Sequence, residues 1–359
     1  MYISPSFAVN AYNRTNTQNR PQSLGVSCPK YSNLAPLSRD TVSFTSGLQD
    51  MEDVSNGINL KTAKLLYNDV QPAQKYLNRQ IDRILGDLVR PEHGTGSLSK
   101  PIEIIRKRAK LPESIVEKSA TRSLHSYDEV KYGLTDLAGA KIVMADTSKE
   151  AVDKVIGRLT EAVENGKLKI LEIENYRPDP EINNAGEVVR TFDYSSPLAL
   201  KNLKKACDDK SDTSIRKVDE DRPSGYMAIH LLVQLPGGFT GEIQIIGNEM
   251  ERLKDVEDMC FKVKNGKHLP KKYASVEKML SPIANKDDVV LRKEYSKYTR
   301  KAYLYQRDLE QNRNKRKKQD TQEFLHIPDY LPEALDFNNV AKEIARCNGR
   351  AKKHNHSND

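Results

Sequence analysis

One hairpin pattern constrains the fold of this chain more than any other feature. The segment YMAIHLLVQL, residues 226–235, alternates between two faces, and the turn residues PGG separate it from FTGEIQIIG, residues 239–247. Such alternation predicts two paired β-strands. If the register aligns the two polar faces, they line one wall of a pocket, whereas the other register buries a glutamate beside isoleucines at substantial cost. The polar side chains of this wall are Tyr226, His230, Glu242 and Gln244.

Strand and helix patterns alternate ahead of the hairpin. Residues 139–145 and 167–176 are apolar enough for buried strands, while Ser148 can cap a helix that ends at Asn165-Gly166. A short helix is predicted over 197–208. This order predicts a mixed β-sheet flanked by helices, an α+β fold with α/β-like character.

The ends of the chain differ in composition from its middle. Only 37% of the 359 residues are hydrophobic, below the ~45–50% of an ordinary globule, so part of the chain is expected outside the core. Residues 1–57, rich in Asn, Ser, Thr, Gln and Pro, predict a flexible N-terminal tail. Residues 58–90 predict two helices separated at Pro72. Residues 319–359 are interpreted as a C-terminal tail with a short amphipathic piece around 335–344.

The positive charge of the chain is concentrated in one segment. Residues 292–318 hold eleven basic and three acidic side chains, an excess of eight that equals the net charge of +8. Residues 269–318 are therefore interpreted as a basic amphipathic helical extension. Its apolar stripe, spaced by four and three, is Leu291, Tyr295, Tyr298, Ala302, Tyr305 and Leu309.

Two short constellations carry side chains suited to phosphate chemistry. Lys110, Ser114 and Lys118 are spaced by four, which puts them on one face if a helix begins at Pro112. Two ammonium groups and a hydroxyl beside a helix start suit a polyphosphate. Asp136 stands just before a predicted buried strand. A carboxylate in such a place is expected to cap a helix, to form an ion pair or to bind a metal.

Taken together and in order, these motifs resemble the RelA/SpoT synthetase family, pyrophosphokinases that make (p)ppGpp alarmones. The resemblance covers roughly residues 60–265, which we assign to a nucleotidyltransferase-like synthetase domain over 58–268. It depends on the motifs R-A-K-x3-S-x3-K, D-L-A-G-A-K, S-G-Y-M-A-I-H and E-I-Q-I. No histidine is followed by Asp, so the His-Asp metal pair of the family's hydrolase domain is absent from the sequence.

The resemblance implies a site for ATP as the diphosphate donor. Arg108 would stack on adenine, and Lys110, Ser114 and Lys118 would grip the triphosphate. Lys141 stands where the family usually has an arginine that completes the adenine sandwich. An ammonium group cannot stack as a guanidinium does, so altered donor binding is expected.

The resemblance also implies a metal and acceptor site. Asp136 and Glu242 would hold Mg²⁺, and Glu242 would help to deprotonate the acceptor hydroxyl. Tyr226 would stack on the acceptor base, while His230 and Gln244 would orient the acceptor. The reaction implied is transfer of the β,γ-diphosphate of ATP to the ribose 3′-OH of GDP or GTP, releasing AMP.

Other functions stay open beside this one. A toxin-type member that modifies the 3′ end of tRNA is favoured by the basic segment 292–318, whose tyrosines could stack on bases. In the alternative reading, the tyrosines are the buried stripe of a docking or homo-oligomer helix. A non-catalytic nucleotide- or RNA-binding protein is favoured by Lys141 and by Ile246, which occupies the usual Arg position. A cytoplasmic protein without membrane contact is expected, since no signal peptide or long apolar run is present.

Overall fold

The structure of the chain is a computed structural model. It describes residues 57–90, 100–178, 180–183, 185–190, 193–211, 214–222, 225–312 and 325–355. The predicted N-terminal tail, apart from Gly57, lies outside the described residues, as do the basic residues Arg313, Lys315, Arg316 and Lys317.

The described residues form a six-stranded mixed sheet in the order β1-β2-β8-β7-β3-β6. Its strands are β1 (Ile102–Ala109), β2 (Ala138–Met144), β3 (Ile170–Pro178), β6 (Arg216–Arg222), β7 (Ala228–Gln234) and β8 (Thr240–Gly247). The pairs β2–β8 and β3–β6 are parallel, and the other neighbours are antiparallel. A separate ribbon consists of β4 (Glu181–Ile182) and β5 (Val188–Arg190).

Helices flank the sheet and continue after it. They are α1 (Leu60–Leu85), α2 (Pro112–Thr121), α3 (Tyr127–Gly133), α4 (Lys149–Glu164), α5 (Pro197–Asp209), α6 (Asn248–Lys264), α7 (Ala274–Ala284), α8 (Val289–Asn312) and α9 (Phe337–Asn355). The predicted α+β class is confirmed. Ser148 caps α4 by accepting from Ala151 N, as its sequence position predicts.

The predicted helix break at Pro72 is wrong, because Pro72 lies inside the single helix α1. A proline removes one helical hydrogen bond, but the buried face of α1 continues through Leu66, Val70 and Leu77 on both sides of it. The burial of this stripe outweighs the local defect. Beyond Pro72, the Gln74 amide donates to Gly139 O and accepts from Gly139 N at 3.0 and 2.8 Å, which fixes α1 on β2.

The apolar face of α8 differs from the predicted stripe. Tyr295, Tyr298 and Ala302 are buried as expected, but Tyr303 is fully buried as well, while Tyr305 is half-buried. A stripe spaced by 3.5 residues drifts around a straight helix of 3.6 residues per turn by about 20° per heptad. In the second half of α8, positions next to the predicted stripe, such as Tyr303, therefore face the core.

Candidate active site

The strand pairing of the hairpin puts His230, Glu242 and Gln244 on one face, and Tyr226, two residues before β7, contacts His230. His230 pairs with Gln244 and Leu231 pairs with Ile243, so the register that aligns the two polar faces is the one formed. Glu242 accepts from Gln244 Nε2 at 2.7 Å and lies 2.9 Å from His230 Nδ1. The Tyr226 hydroxyl lies 3.1 Å from His230 Nε2. Both His230 contacts are satisfied when Nδ1 donates to Glu242 and Nε2 accepts from Tyr226.

The cationic side of the site is built by α2 and by Lys110, two residues before the helix begins. Proline at the first helical position starts α2, and from there the helix places Ser114 and Lys118 on the face where Lys110 lies. The Nζ atoms of Lys110 and Lys118 contact Asp136 Oδ2 at 2.7 and 2.8 Å. Asp136 therefore pairs with two buried ammonium groups in this structure and does not cap a helix.

Burial and neighbouring charges shift the pKa values of the triad Lys110, Lys118 and Asp136 in opposite directions. Burial by itself raises the pKa of Asp136, but Lys110 and Lys118 outweigh it and hold the pKa of this carboxyl below its usual range. Burial lowers the pKa of Lys110 to about 8, although Asp136 acts in the opposite direction. The triad leaves one atom unsatisfied, because Asp136 Oδ1 is buried without a hydrogen-bond partner.

The two sides meet in a cavity of about 260 Å³. Seven of the residues singled out from the sequence line it: Arg108, Lys110, Ser114, Asp136, Lys141, Glu242 and Gln244. Lys118 reaches the cavity through its contact with Asp136, whereas Tyr226 and His230 extend the hairpin wall beyond the lining. The cavity is thus lined by several cationic side chains, by the carboxylates of Asp136, Glu242 and Asp255, and by part of the hairpin wall, which Tyr226 and His230 continue.

Lys141 is held by a glutamate that sequence reasoning missed. Glu251 Oε1 lies 2.6 Å from Lys141 Nζ and 2.9 Å from an Arg106 nitrogen, and Glu251 is 1% exposed. Burial lowers the pKa of Lys141. The ammonium group is thereby fixed as part of an ion-pair cluster. Ile246, the other departure from the family pattern, is fully buried in β8.

Sequence reasoning missed the contribution of α6 to the site. Glu251, Lys254, Asp255 and Asp258 follow one another at helical spacing, a pattern that is more typical of a solvated face. In the structure Glu251 and Lys254 are each 1% exposed, and Asp255 lines the cavity. Burial, followed by repulsion from Glu251, raises the pKa of Asp255 to about 6. The charged face of α6 therefore points inward.

The carboxylates of the cavity fit a magnesium ion better than a softer metal. Within the described part of the chain, no cluster of three or more His, Cys, Asp or Glu side chains could hold a metal. Asp136 and Glu242 nevertheless line the same cavity, and Asp136 Oδ1 is an unpartnered buried oxygen. Mg²⁺ is commonly bound by one or two carboxylates together with phosphate oxygens. These two residues could therefore hold it when a polyphosphate is present.

Helix α8 covers the hairpin side of the site, next to Tyr226. The Tyr303 ring stands edge-on to Tyr226, with centroids 6.3 Å apart and planes at 89°. The Tyr303 hydroxyl donates to Glu257 of α6. Further along α8, Glu310 accepts from Met250 N at 3.0 Å and from the Tyr194 hydroxyl at 3.0 Å. These bonds join the end of α8 to the start of α6.

Replacing Glu310 by Gln should change how stability depends on pH. Burial raises the pKa of Glu310 to about 7 from an ordinary value of 4.5. Between these values the folded chain binds more protons than the unfolded chain, so the free energy of unfolding falls as pH rises. The full difference is about 3 kcal/mol. We expect the Tm of Glu310→Gln, relative to the natural chain, to be roughly 6 °C higher at pH 8 than at pH 5. A pH-independent difference in Tm would contradict this.

No family model and no curated protein matches the chain. Similar solved structures are a GTP pyrophosphokinase family protein from Streptococcus pneumoniae and small alarmone synthetase 1 from Bacillus subtilis. The first is 16% identical with a TM-score of 0.31, covering 67% of this chain and 94% of its own. The second, bound to its product pppGpp, is 19% identical with a TM-score of 0.35, covering 65% and 96%. A structure of the same synthetase bound to AMPCPP covers 65% and 99%, at 19% identity and a TM-score of 0.32.

The structural likeness is to the family that the sequence motifs resemble. Identities below 20% and TM-scores near 0.3 carry no conclusion about the substrate of this chain. Among the helices that the structure describes, none combines the length and the apolar character of a membrane span.

Proposed function

We propose that the chain is an ATP-dependent pyrophosphokinase that transfers a diphosphate to the ribose 3′-OH of a guanosine nucleotide. The observation that carries this proposal is the cavity that Arg108, Lys110 and Ser114 line together with Glu242 and Gln244. Cationic groups and a hydroxyl suit a polyphosphate, and a carboxylate in the same cavity suits the deprotonation of a hydroxyl.

The donor would lie along the α2 side of the cavity. Arg108 offers a planar guanidinium for adenine, and Lys110 and Lys118 offer two ammonium groups for the phosphates. Both ammonium groups now contact Asp136 Oδ2, so a triphosphate would share them with this carboxylate. The lysines are thus held in position before the donor binds, which reduces the entropic cost of ordering them.

The acceptor would lie along the hairpin wall. Its base would stack on Tyr226, and its 3′-hydroxyl would face Glu242, which His230 and Gln244 orient. In the transfer, the 3′-oxygen forms a bond to the β-phosphorus, the bond between that phosphorus and the α,β-bridging oxygen breaks, and AMP leaves. Glu242 takes the proton of the hydroxyl. Mg²⁺ held by Asp136 and Glu242 would neutralise charge on the phosphate oxygens.

The deciding experiment combines purified protein, ATP and Mg²⁺ with GDP, GTP, ADP or deacylated tRNA in separate reactions. We expect a guanosine nucleotide to gain two phosphates with one AMP released per product, as resolved by ion-exchange chromatography and mass spectrometry. Transfer to tRNA alone would support the toxin-type reading. The burial of Tyr295, Tyr298 and Tyr303 weakens that reading, because these rings cannot stack on RNA bases. Absence of AMP with every acceptor would leave the non-catalytic reading.

A further inference from the structure

A buried cation of α6 has no hydrogen-bond partner in the described part of the chain. Lys254 is 1% exposed, and its Nζ contacts no hydrogen-bond acceptor there. An ammonium group has three donors and no acceptor, and leaving them unmet inside a protein costs free energy. A side chain that breaks this rule indicates a functional position, where a ligand supplies the missing acceptor.

The surroundings of Lys254 restrict what that ligand group can be. Its Nζ lies 5.9 Å from the centroid of the Tyr226 ring, the aromatic surface of the acceptor wall. Burial lowers the pKa of Lys254, but Tyr226, Asp258, Glu251 and Glu242 outweigh it and raise the pKa above its usual value. These carboxylates would repel a phosphate group. A neutral carbonyl or ring nitrogen, which accepts a hydrogen bond without a full negative charge, suits the position better.

We propose that Lys254 selects guanine as the acceptor base, by donating a hydrogen bond to O6 or N7 of a base stacked on Tyr226. This inference rests on the proposed function, which places the acceptor on the hairpin wall. Guanine presents two acceptors, O6 and N7, on one edge. Adenine carries an amino donor at the position of O6, and an ammonium group has no acceptor to offer it.

The cover that Tyr303 forms over Tyr226 strengthens the selection of guanine over adenine. Tyr303 stands edge-on to Tyr226 and is itself fully buried, so a base that stacks on Tyr226 must displace part of this cover. The base then takes a place from which water is excluded. A hydrogen bond in such a place discriminates strongly, because a wrong base leaves the buried donor unpaired.

Calorimetric titration of guanosine and of adenosine, each with saturating AMPCPP present to occupy the donor side, tests the proposal without a phosphate group in either titrated ligand. We expect the natural chain to bind guanosine about 10–100-fold more tightly than adenosine. Lys254→Met should reduce this ratio to about threefold or less, and Lys254→Arg, which keeps donors, should retain part of it. Lys262→Met is the matched control, since Lys262 lies about 12 Å further along the same helix, and it should leave the ratio unchanged.

Thermal unfolding of the same variants separates a ligand-binding role from a structural one. Lys254→Met should lower the Tm, because Glu251, Glu242 and Asp258 lose a buried counter-charge, whereas guanosine should raise the Tm of the natural chain by more than that of Lys254→Met. A lower Tm with an unchanged guanosine preference would make Lys254 a counter-ion of its neighbouring carboxylates and overturn the proposal. An effect on GDP binding with none on guanosine would assign the lysine to phosphate and overturn it as well.

Failure of this inference can be told apart from failure of the proposed function. The nucleoside ratio is measured by binding alone, so it decides the role of Lys254 even if no AMP is released. A natural chain that binds both nucleosides equally, or binds neither, overturns the guanine assignment. If guanosine nucleotides are converted at equal rates by the natural chain and Lys254→Met, with equal KM, the transfer activity stands and Lys254 has no part in it.

Discussion

Glu242→Gln should lower kcat for AMP release by about 10³–10⁴-fold while leaving the fold unchanged. The amide keeps the shape of the side chain and one oxygen that can accept from His230 or Gln244. It cannot take the proton of the acceptor hydroxyl, and it is a poor ligand for Mg²⁺. Steady-state release of AMP in the presence of ATP and GDP measures the loss.

A matched variant shows whether the loss of activity is specific to the carboxylate of Glu242. Glu164→Gln makes the same chemical change at an exposed position at the end of α4 and should retain full activity. Circular dichroism and Tm should be the same for both variants within about 2 °C, because Glu242 is not part of the apolar core. If Glu242→Gln turns over at the natural rate, another group must act as the base.

Asp136→Asn should destabilise the chain and should respond to polyphosphate more strongly than the natural protein. The substitution leaves the buried ammonium groups of Lys110 and Lys118 without their shared carboxylate. Removing one partner of a buried ion pair costs about 3 kcal/mol or more. Because a triphosphate can supply the missing negative charge, ATP should raise the Tm of Asp136→Asn by more than that of the natural chain.

The readouts for Asp136 are Tm with and without ATP, together with AMP release. Asp209→Asn, at an exposed carboxylate near the end of α5, is the control and should change neither. A variant with an unchanged Tm would mean that the two lysines do not depend on Asp136. A destabilised variant that ATP does not protect would argue against a polyphosphate site on these lysines.

The parts of the site that could be predicted are those specified by local spacing. The alternation of YMAIHLLVQL and FTGEIQIIG predicts both strands and, through the cost of burying Glu242 beside isoleucines, their register. The spacing of Lys110, Ser114 and Lys118 likewise predicts a common face on α2. In each case a short stretch of sequence contains all the information required.

The contribution of α6 could not be predicted, because it depends on which face of the helix is covered. The spacing of Glu251, Lys254 and Asp255 is compatible with solvent, and nothing local to the helix indicates burial. Burial results from packing against the sheet and against α8, elements that are distant in the sequence. The continuation of α1 through Pro72 could not be predicted for the same reason, because long-range packing outweighs the local tendency of proline to end a helix.

The bonds of Glu310 extend the unit that folds around the candidate site beyond residue 268. The resemblance to known synthetases ends near residue 265, yet the amide of Met250, in the first turn of α6, is bonded to a carboxylate about sixty residues later. A chain shortened to residue 268 would lose this bond and would uncover the side of the core that Tyr298 and Tyr303 occupy. The stretch that resembles known synthetases is therefore shorter than the stretch that packs into one core. Substitutions in the C-terminal helices would then alter the stability of the candidate site, even if those helices touch no substrate.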